Sequence, residues 1–479
     1  MHLLSAIALA GAITLIGAPG RAEARTWQVP AEASTIAAAI DSSAAGDVVE
    51  LAPGVYPESG LVLPSRLTIR AADPVLGATI DAGGAGRIFS AGLQDSIALV
   101  GLTLTGGFTT NGGAANFQSC QGLEIRDCVF TANRTSFGIG GALQVSGLSS
   151  VLIVGCLFQD NDAPMDNGGG IWLECPVAEI TGCTFAGNHA INGGGISCRG
   201  ADVRITTCVF AGNRAANGAG IDLRGDAVEV RDCLFVGNTA TRGGAAGCWY
   251  AATPTFVGCT MVENAASDQG GGLYCTGGAV ATVERSLLAF NAGGGAVACE
   301  YEGAASLACS DVFGNVDGDW VGGLEGQEGI DGNFSLDPIF CATQGDAAWR
   351  LAADSPCLPT GSPCGEQVGA YGVGCGASDV PAAGADSAVR LLGIHPNPFN
   401  PQATVTFELA QDHVVSLKVY DIGGRLVATL IDADPVPAGR HEVRWCGDDQ
   451  AGRRLPSGTY IFRLESADRA ATMRTTLLK

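Results

Sequence analysis

Two recurring groups of residues in this sequence have side chains that could do chemistry. The first follows runs of glycine. In Gly168-Gly-Gly-Ile171, Gly193-Gly-Gly-Ile196 and Gly218-Ala-Gly-Ile221, the places after each isoleucine bring Trp172 and Glu174, Ser197 and Arg199, then Asp222 and Arg224. Gly247 with Trp249, and Tyr274 with Thr276, continue the two rows. On strands, alternate residues share a face, so Arg199 and Arg224 would stack on adjacent rungs between carboxylates and aromatic rings. Such a strip suits sugar, with rings on aromatic faces and guanidinium forks on carboxylates. Trp172, Arg199, Arg224, Trp249 and Tyr274 are therefore the ligand-binding candidates. A catalytic reading would draw on Arg199, Arg224, Asp222 and Glu174, with an arginine as base and calcium held by acids, but arginine rarely gives up its proton. The second group is Asn315-x-Asp317-x-Asp319, which starts like a calcium loop. Trp320 stands where such a loop needs glycine and Gly326 where it needs a bidentate Glu, so Asp317 and Asp319 are only weak metal candidates. Calcium is the one cofactor the pattern admits. The five His form no HExxH, no GxSxG elbow occurs, and no CxxC is present.

The elements that must position these residues repeat. Cys-x-Phe-x-x-Asn runs from Cys128 to Asn133, Cys156 to Asn161, Cys183 to Asn188, Cys208 to Asn213 and Cys233 to Asn238. Met261 replaces Phe between Cys259 and Asn264, and Ser286 to Asn291 and Ser310 to Asn315 are looser copies. The Asn residues recur every 24 to 28 positions, the signature of a solenoid. Before each Cys the chain alternates: Val203 and Ile205 around Arg204, Val228 and Val230 around Glu229. That is strand periodicity, and the glycine runs forbid a helix. Stacked coils then align like residues into ladders: Phe as core, Asn turned inward at a corner to bond neighbouring backbone, Cys as small apolar filler.

Composition agrees. Of 479 residues 71 are Gly, with 6% aromatic and 15% charged, so the core must come from small aliphatics and tight turns. Acidic residues outnumber basic ones 48 to 26, and Lys occurs only at positions 418 and 479, which excludes a nucleic-acid partner. Residues 1–24 read as a signal peptide: an apolar run from Leu3 to Ile16, then Gly17, Pro19 and Gly20, then Ala22-Glu23-Ala24. The run is too short for an anchor, and no other stretch could span a bilayer as a helix, so the mature chain is expected to carry no transmembrane helix.

The paired GGxI and FxxN motifs, over Gly112 to Asn315, resemble the repeats of chlamydial polymorphic outer-membrane proteins and their wider β-helix relatives. Those proteins usually end in a membrane barrel, and membrane insertion is not expected to carry over to this chain. The opening coils, Gly46 to Leu51, Pro53 to Glu58, Leu67 to Arg70 and Ala98 to Thr105, resemble secreted pectate-lyase-like β-helices. A short helix at Thr35 to Asp41 would cover the open end of the core. Asp337-Pro-Ile-Phe340, Ser355-Pro-Cys357 and Gly369-Ala-Tyr371 resemble the closing coil of that group, and a disulfide is expected among Cys357, Cys364 and Cys375. The Asp clusters of polygalacturonases and the motifs of pectin esterases are absent.

A linker at residues 377–390 leads to the tail, 391–479. Alternating strands at Thr404 to Leu409, Val414 to Tyr420, Arg425 to Leu430, His441 to Trp445, Gly458 to Leu464 and Ala471 to Leu477 make a sandwich. His395-Pro-Asn-Pro-Phe-Asn-Pro401, Tyr420-Asp-Ile-Gly-Gly-Arg-Leu-Val427 and Leu455 to Leu464 resemble the sorting domain of type IX secretion, which has the FlgD-like Ig fold. The resemblance implies the type IX machinery as a partner, and release or anchoring outside the cell.

The expected architecture is all-β: a right-handed parallel β-helix over 25–376, then a small Ig-like β-sandwich. The expected function is non-catalytic adhesion or glycan binding by a secreted or outer-membrane surface protein, the partner being an extracellular polysaccharide or a surface protein. The rival is a polysaccharide lyase or glycosidase acting on extracellular acidic polysaccharide.

Overall fold

A computed structural model describes residues 24–376 except 94, 226 and 342–347, and most of 389–477. The expected signal peptide, apart from Ala24, and nearly all of the expected linker lie outside the described residues. So does Pro396-Asn-Pro-Phe-Asn-Pro401 within the tail.

The alternating segments are strands, and their inward positions are the apolar ones. Asp202–Thr206 shows it: Val203 and Ile205 are buried, Asp202 and Arg204 exposed. One coil runs through three faces. Asp202–Thr206 lies on the first face, Val209–Ala211 on the second and Ile221–Leu223 on the third. Successive coils pair in parallel and in register, building sheets of 12, 11 and 10 strands. The result is a right-handed parallel β-helix. On the third face, for example, Ile171 aligns with Ile196, Ile221, Ala246 and Leu273. Rungs stand about 4.8 Å apart.

The repeat motif fills the interior with three ladders. Phe130, Phe158, Phe185, Phe210 and Phe235 stack with centroids 4.7–5.0 Å apart and nearly parallel planes. Each Asn is fully used. Asn188 Oδ1 accepts from Asn161 N (3.1 Å) and Asn161 Nδ2 (3.0 Å), while Asn188 Nδ2 donates to Phe158 O (2.9 Å). The same pattern runs from Asn133 to Asn315. The cysteines differ from the expected apolar filler. Cys156, Cys183 and Cys208 each donate their N–H to the sulfur of the next cysteine at 3.4 Å, so the thiols of Cys183, Cys208 and Cys233 stand in for polar acceptors. Ser286 and Ser310 take the same post further along, Ser286 Oγ accepting from Cys259 N at 3.0 Å.

The first glycine of each Gly-rich run is left-handed (φ 72° at Gly168, 64° at Gly193), and a Cβ there would lie 2.7 Å from the backbone N of Trp172 or Ser197. The turn therefore presses against the start of the third-face strand, where any side chain would collide.

The N-terminal end of the core is covered, and so is a flank of the last coils. The helix Ile36–Ser42 is capped by Thr35 Oγ1, which accepts from Ala38 N; Ile36, Ala39 and Ile40 are buried in the solenoid core. Glu58 accepts from the N–H groups of Ile36 and Ala37. At the other end, Leu351, Cys357, Leu358 and Val368 pack with Leu287 and Ala289 of the second face, whose strand Leu287–Ala289 is buried on both sides. The bridges are Cys309–Cys364 and Cys341–Cys375, so Cys364 and Cys375 each pair outside the expected trio. Cys357 is a free thiol that donates to Asp311 Oδ2 at 3.2 Å.

The tail is antiparallel: Val389–His395, Ala403–Leu409 and Gly439–Trp445 in one sheet, and Leu426–Val436, His413–Asp421, Gly458–Ser466 and Arg469–Leu477 in the other. Phe407 and Phe462 are fully buried in its core, with Trp445 edge-on to Tyr460 and Phe462.

Candidate functional site

The third face carries the candidates, in two outward rows. In the first, Gln144, Trp172, Ser197, Asp222, Gly247 and Tyr274 align across successive coils. This row is not on the surface. Trp172 is 6% exposed, Tyr274 1%, and Ser197 and Asp222 not at all, so neither Trp172 nor Tyr274 offers a ring face to solvent. The row is closely overhung by the left-handed glycine turns.

Its polar groups are only partly satisfied. Asp222 Oδ2 accepts from Ser197 Oγ (3.1 Å) and Arg224 Nε (2.9 Å). Burial pushes the Asp222 carboxyl above its ordinary value, with the Arg224 charge opposing. Among the described residues Asp222 Oδ1, Gln144 Oε1, Trp172 Nε1 and Trp249 Nε1 are buried with no hydrogen-bond partner. Tyr274 donates to Glu300 Oε2 at 2.6 Å, and burial followed by that carboxylate moves its phenol up to about 12.

The second row is the accessible one. Gln118, Ser146 and Glu174 align in register, and Arg199 follows on the next coil, its N–H donating to Leu173 O. Together with Ser119, Gly147 and Ala201 they line a shallow open groove of about 580 Å³. Glu174 and Arg199 are exposed, and Arg199 has no ion pair among the described residues. Arg224 is different: its side chain is 16% exposed, tied to Asp222, and its Cζ lies 6.0 Å from the Trp249 ring and 5.7 Å from the Tyr250 ring. Sequence reasoning missed Gln118 and Ser146, and also Tyr250 and Tyr301, which stand out from the corner just past the strands (71% and 79% exposed). The aromatic pair Trp249-Tyr250 at the end of a repeat was the available signal.

The weak metal candidates have other work. Asp319 Oδ1 accepts from Asn315 N and Nδ2, both at 2.8 Å, and Oδ2 accepts from Gly314 N, so this carboxylate terminates the Asn ladder. Burial pushes its carboxyl up. Asp317 Oδ2 accepts from Gly294 N. Among the described residues no three His, Cys, Asp or Glu side chains converge as metal ligands.

Two family models agree with this architecture. The family model for a right handed beta helix region matches residues 165–334, and the model for the FlgD Ig-like domain matches 397–470. A search of curated proteins finds no match. Among solved structures, one titled "Geobacillus virus E2 - ORF18" is similar at 10% identity, over 91% of this chain and 69% of that chain, with a TM-score of 0.32. The chain thus joins a parallel β-helix to a FlgD Ig-like domain. No helix among the described residues is long and apolar enough to cross a membrane.

Proposed function

We propose that this is a secreted or outer-membrane surface protein whose β-helix binds extracellular glycan, with the C-terminal domain serving as a type IX sorting signal. The observation that supports binding is the groove along the second outward row. Four successive coils present Gln118, Ser146, Glu174 and Arg199 there, a line of hydrogen-bonding side chains on a rigid frame. Coils repeat about every 4.8 Å, so the row offers contacts at a spacing an extended sugar chain can follow. The motifs of the tail and its FlgD Ig-like match support the export reading. Asp222 is fully buried and committed to Arg224, so it is withheld from a ligand in the groove, and an arginine rarely gives up its proton, which favours binding over elimination.

The test is a glycan array with the full chain, run with and without calcium, beside an assay for unsaturated sugar ends. Binding without turnover, reduced by Arg199→Ala, is the expected result. Release of unsaturated ends that Arg199→Ala abolishes would instead establish a lyase. For the tail, deletion of residues 391–479 should leave the β-helix inside the cell envelope.

A further inference from the structure

The groove does not stop at Arg199. The same row continues through Arg224 to Trp249 and on to Thr276 and Glu300, and the corner after it carries two large exposed rings. Tyr250, Gly277 and Tyr301 occupy equivalent places on three successive coils, because Cys248, Cys275 and Cys299 align just before them. All three are left-handed, with φ of 55°, 64° and 47°. Left-handed residues recur at the corners of this solenoid, so the conformation by itself marks nothing. The size and exposure of the two rings, and the glycine between them, do.

We propose that Tyr250 and Tyr301 are the jaws of a clamp that holds one uncharged pyranose residue of an extended glycan, a reading that rests on the glycan-binding function above. Two rungs separate the jaws, about 9.6 Å between their backbones. A ring-thick guest in van der Waals contact on both sides needs about 7–8 Å. Gly277-Gly278 forms the floor. A Cβ on Gly277 would lie 3.5 Å from Tyr250 N and 4.0 Å from Tyr250 Cδ1, so a side chain there would fill the gap. One jaw is braced: the Arg224 guanidinium lies 5.7 Å from the Tyr250 ring and 6.0 Å from the Trp249 ring, and is itself held by buried Asp222.

Charge selects the guest. The Arg224 charge is offset by Asp222, Glu300 and Glu302 flank the second jaw, and the chain as a whole carries −22. A uronate would meet net repulsion, whereas an uncharged pyranose can lay its C–H face on tyrosine and direct hydroxyls to Arg224 and Glu302.

The experiment is calorimetric titration of the full chain with cello-, xylo- and mannohexaose and with a galacturonate hexamer. At least one neutral hexasaccharide should bind, and Tyr250→Gly and Tyr301→Gly should each weaken it tenfold or more. Glycine suits a left-handed backbone, so both variants should keep or raise Tm, which separates lost binding from lost fold. Preference for the galacturonate hexamer overturns the choice of sugar class. Unchanged affinity in both variants, with Arg199→Ala still weakening binding, overturns the clamp and leaves the glycan reading standing. No binding to any of the four overturns the clamp, and silence on the wider array would take the glycan reading with it.

Discussion

Asp222 shows no surface and grips Arg224 at 2.9 Å, so the two side chains stand or fall together. Arg224→Ala would strand a buried carboxylate and should cost about 3 kcal/mol by denaturant titration. Arg199→Ala, on an exposed side chain without an ion pair, should change stability by no more than about 0.5 kcal/mol. A binding loss in the second variant therefore reports on ligand, and one in the first does not. From sequence the two arginines looked alike, because strand alternation places both outward. What the alternation could not show is that buried Asp222 draws Arg224 in, while Ser197 stands at the equivalent place beside Arg199 and leaves it free. Asp311 gives a pH signature. It is buried against Cys357, and burial holds its carboxyl well above 3.8. A raised carboxyl contributes stability that is complete below about pH 4 and is lost as pH rises through the raised value. The Tm of Asp311→Asn relative to the parent should accordingly improve as pH climbs from 4 to 8.

At the scale of the element, the repeats were legible because each ladder demands one residue type per coil. Phe185 lies flat between Phe158 and Phe210, and Phe185→Ala should cost about 3–5 kcal/mol. The role of cysteine was less legible. Its size suggested filler, yet its sulfur accepts a backbone N–H, and serine already holds that post at 286 and 310. Cys208→Ser should therefore be milder than Cys208→Ala, since alanine leaves Cys183 N–H buried without an acceptor, at about 1–3 kcal/mol. Unfolding midpoints of the two variants decide this. The closing coil was misread for a related reason. Leu287-Leu288-Ala289 breaks alternation, a sign that both sides are covered, and the segment covering it brings Cys364 to Cys309 and Cys375 to Cys341. Those partners lie far upstream in sequence and only the fold makes them neighbours.

For the whole molecule, each coil touches chiefly the coil before and after it, so stability accumulates along the axis. The two disulfides lock the last coils, joining residues 55 and 34 positions apart. Loops of that size correspond to about 4 kcal/mol each in chain-entropy terms. Under reductant the C-terminal coils should lose protection from hydrogen exchange before the Phe-stacked middle does. The helix Ile36–Ser42 at the opposite end has a further consequence. A stack of in-register parallel strands ends in a row of open amides and carbonyls, ready to accept another identical stack. By plugging that end of the core, with Glu58 holding its first turn, the helix keeps the solenoid from growing head-to-tail into a fibre. The rigid rod is in this sense a filament of length one, terminated by seven residues.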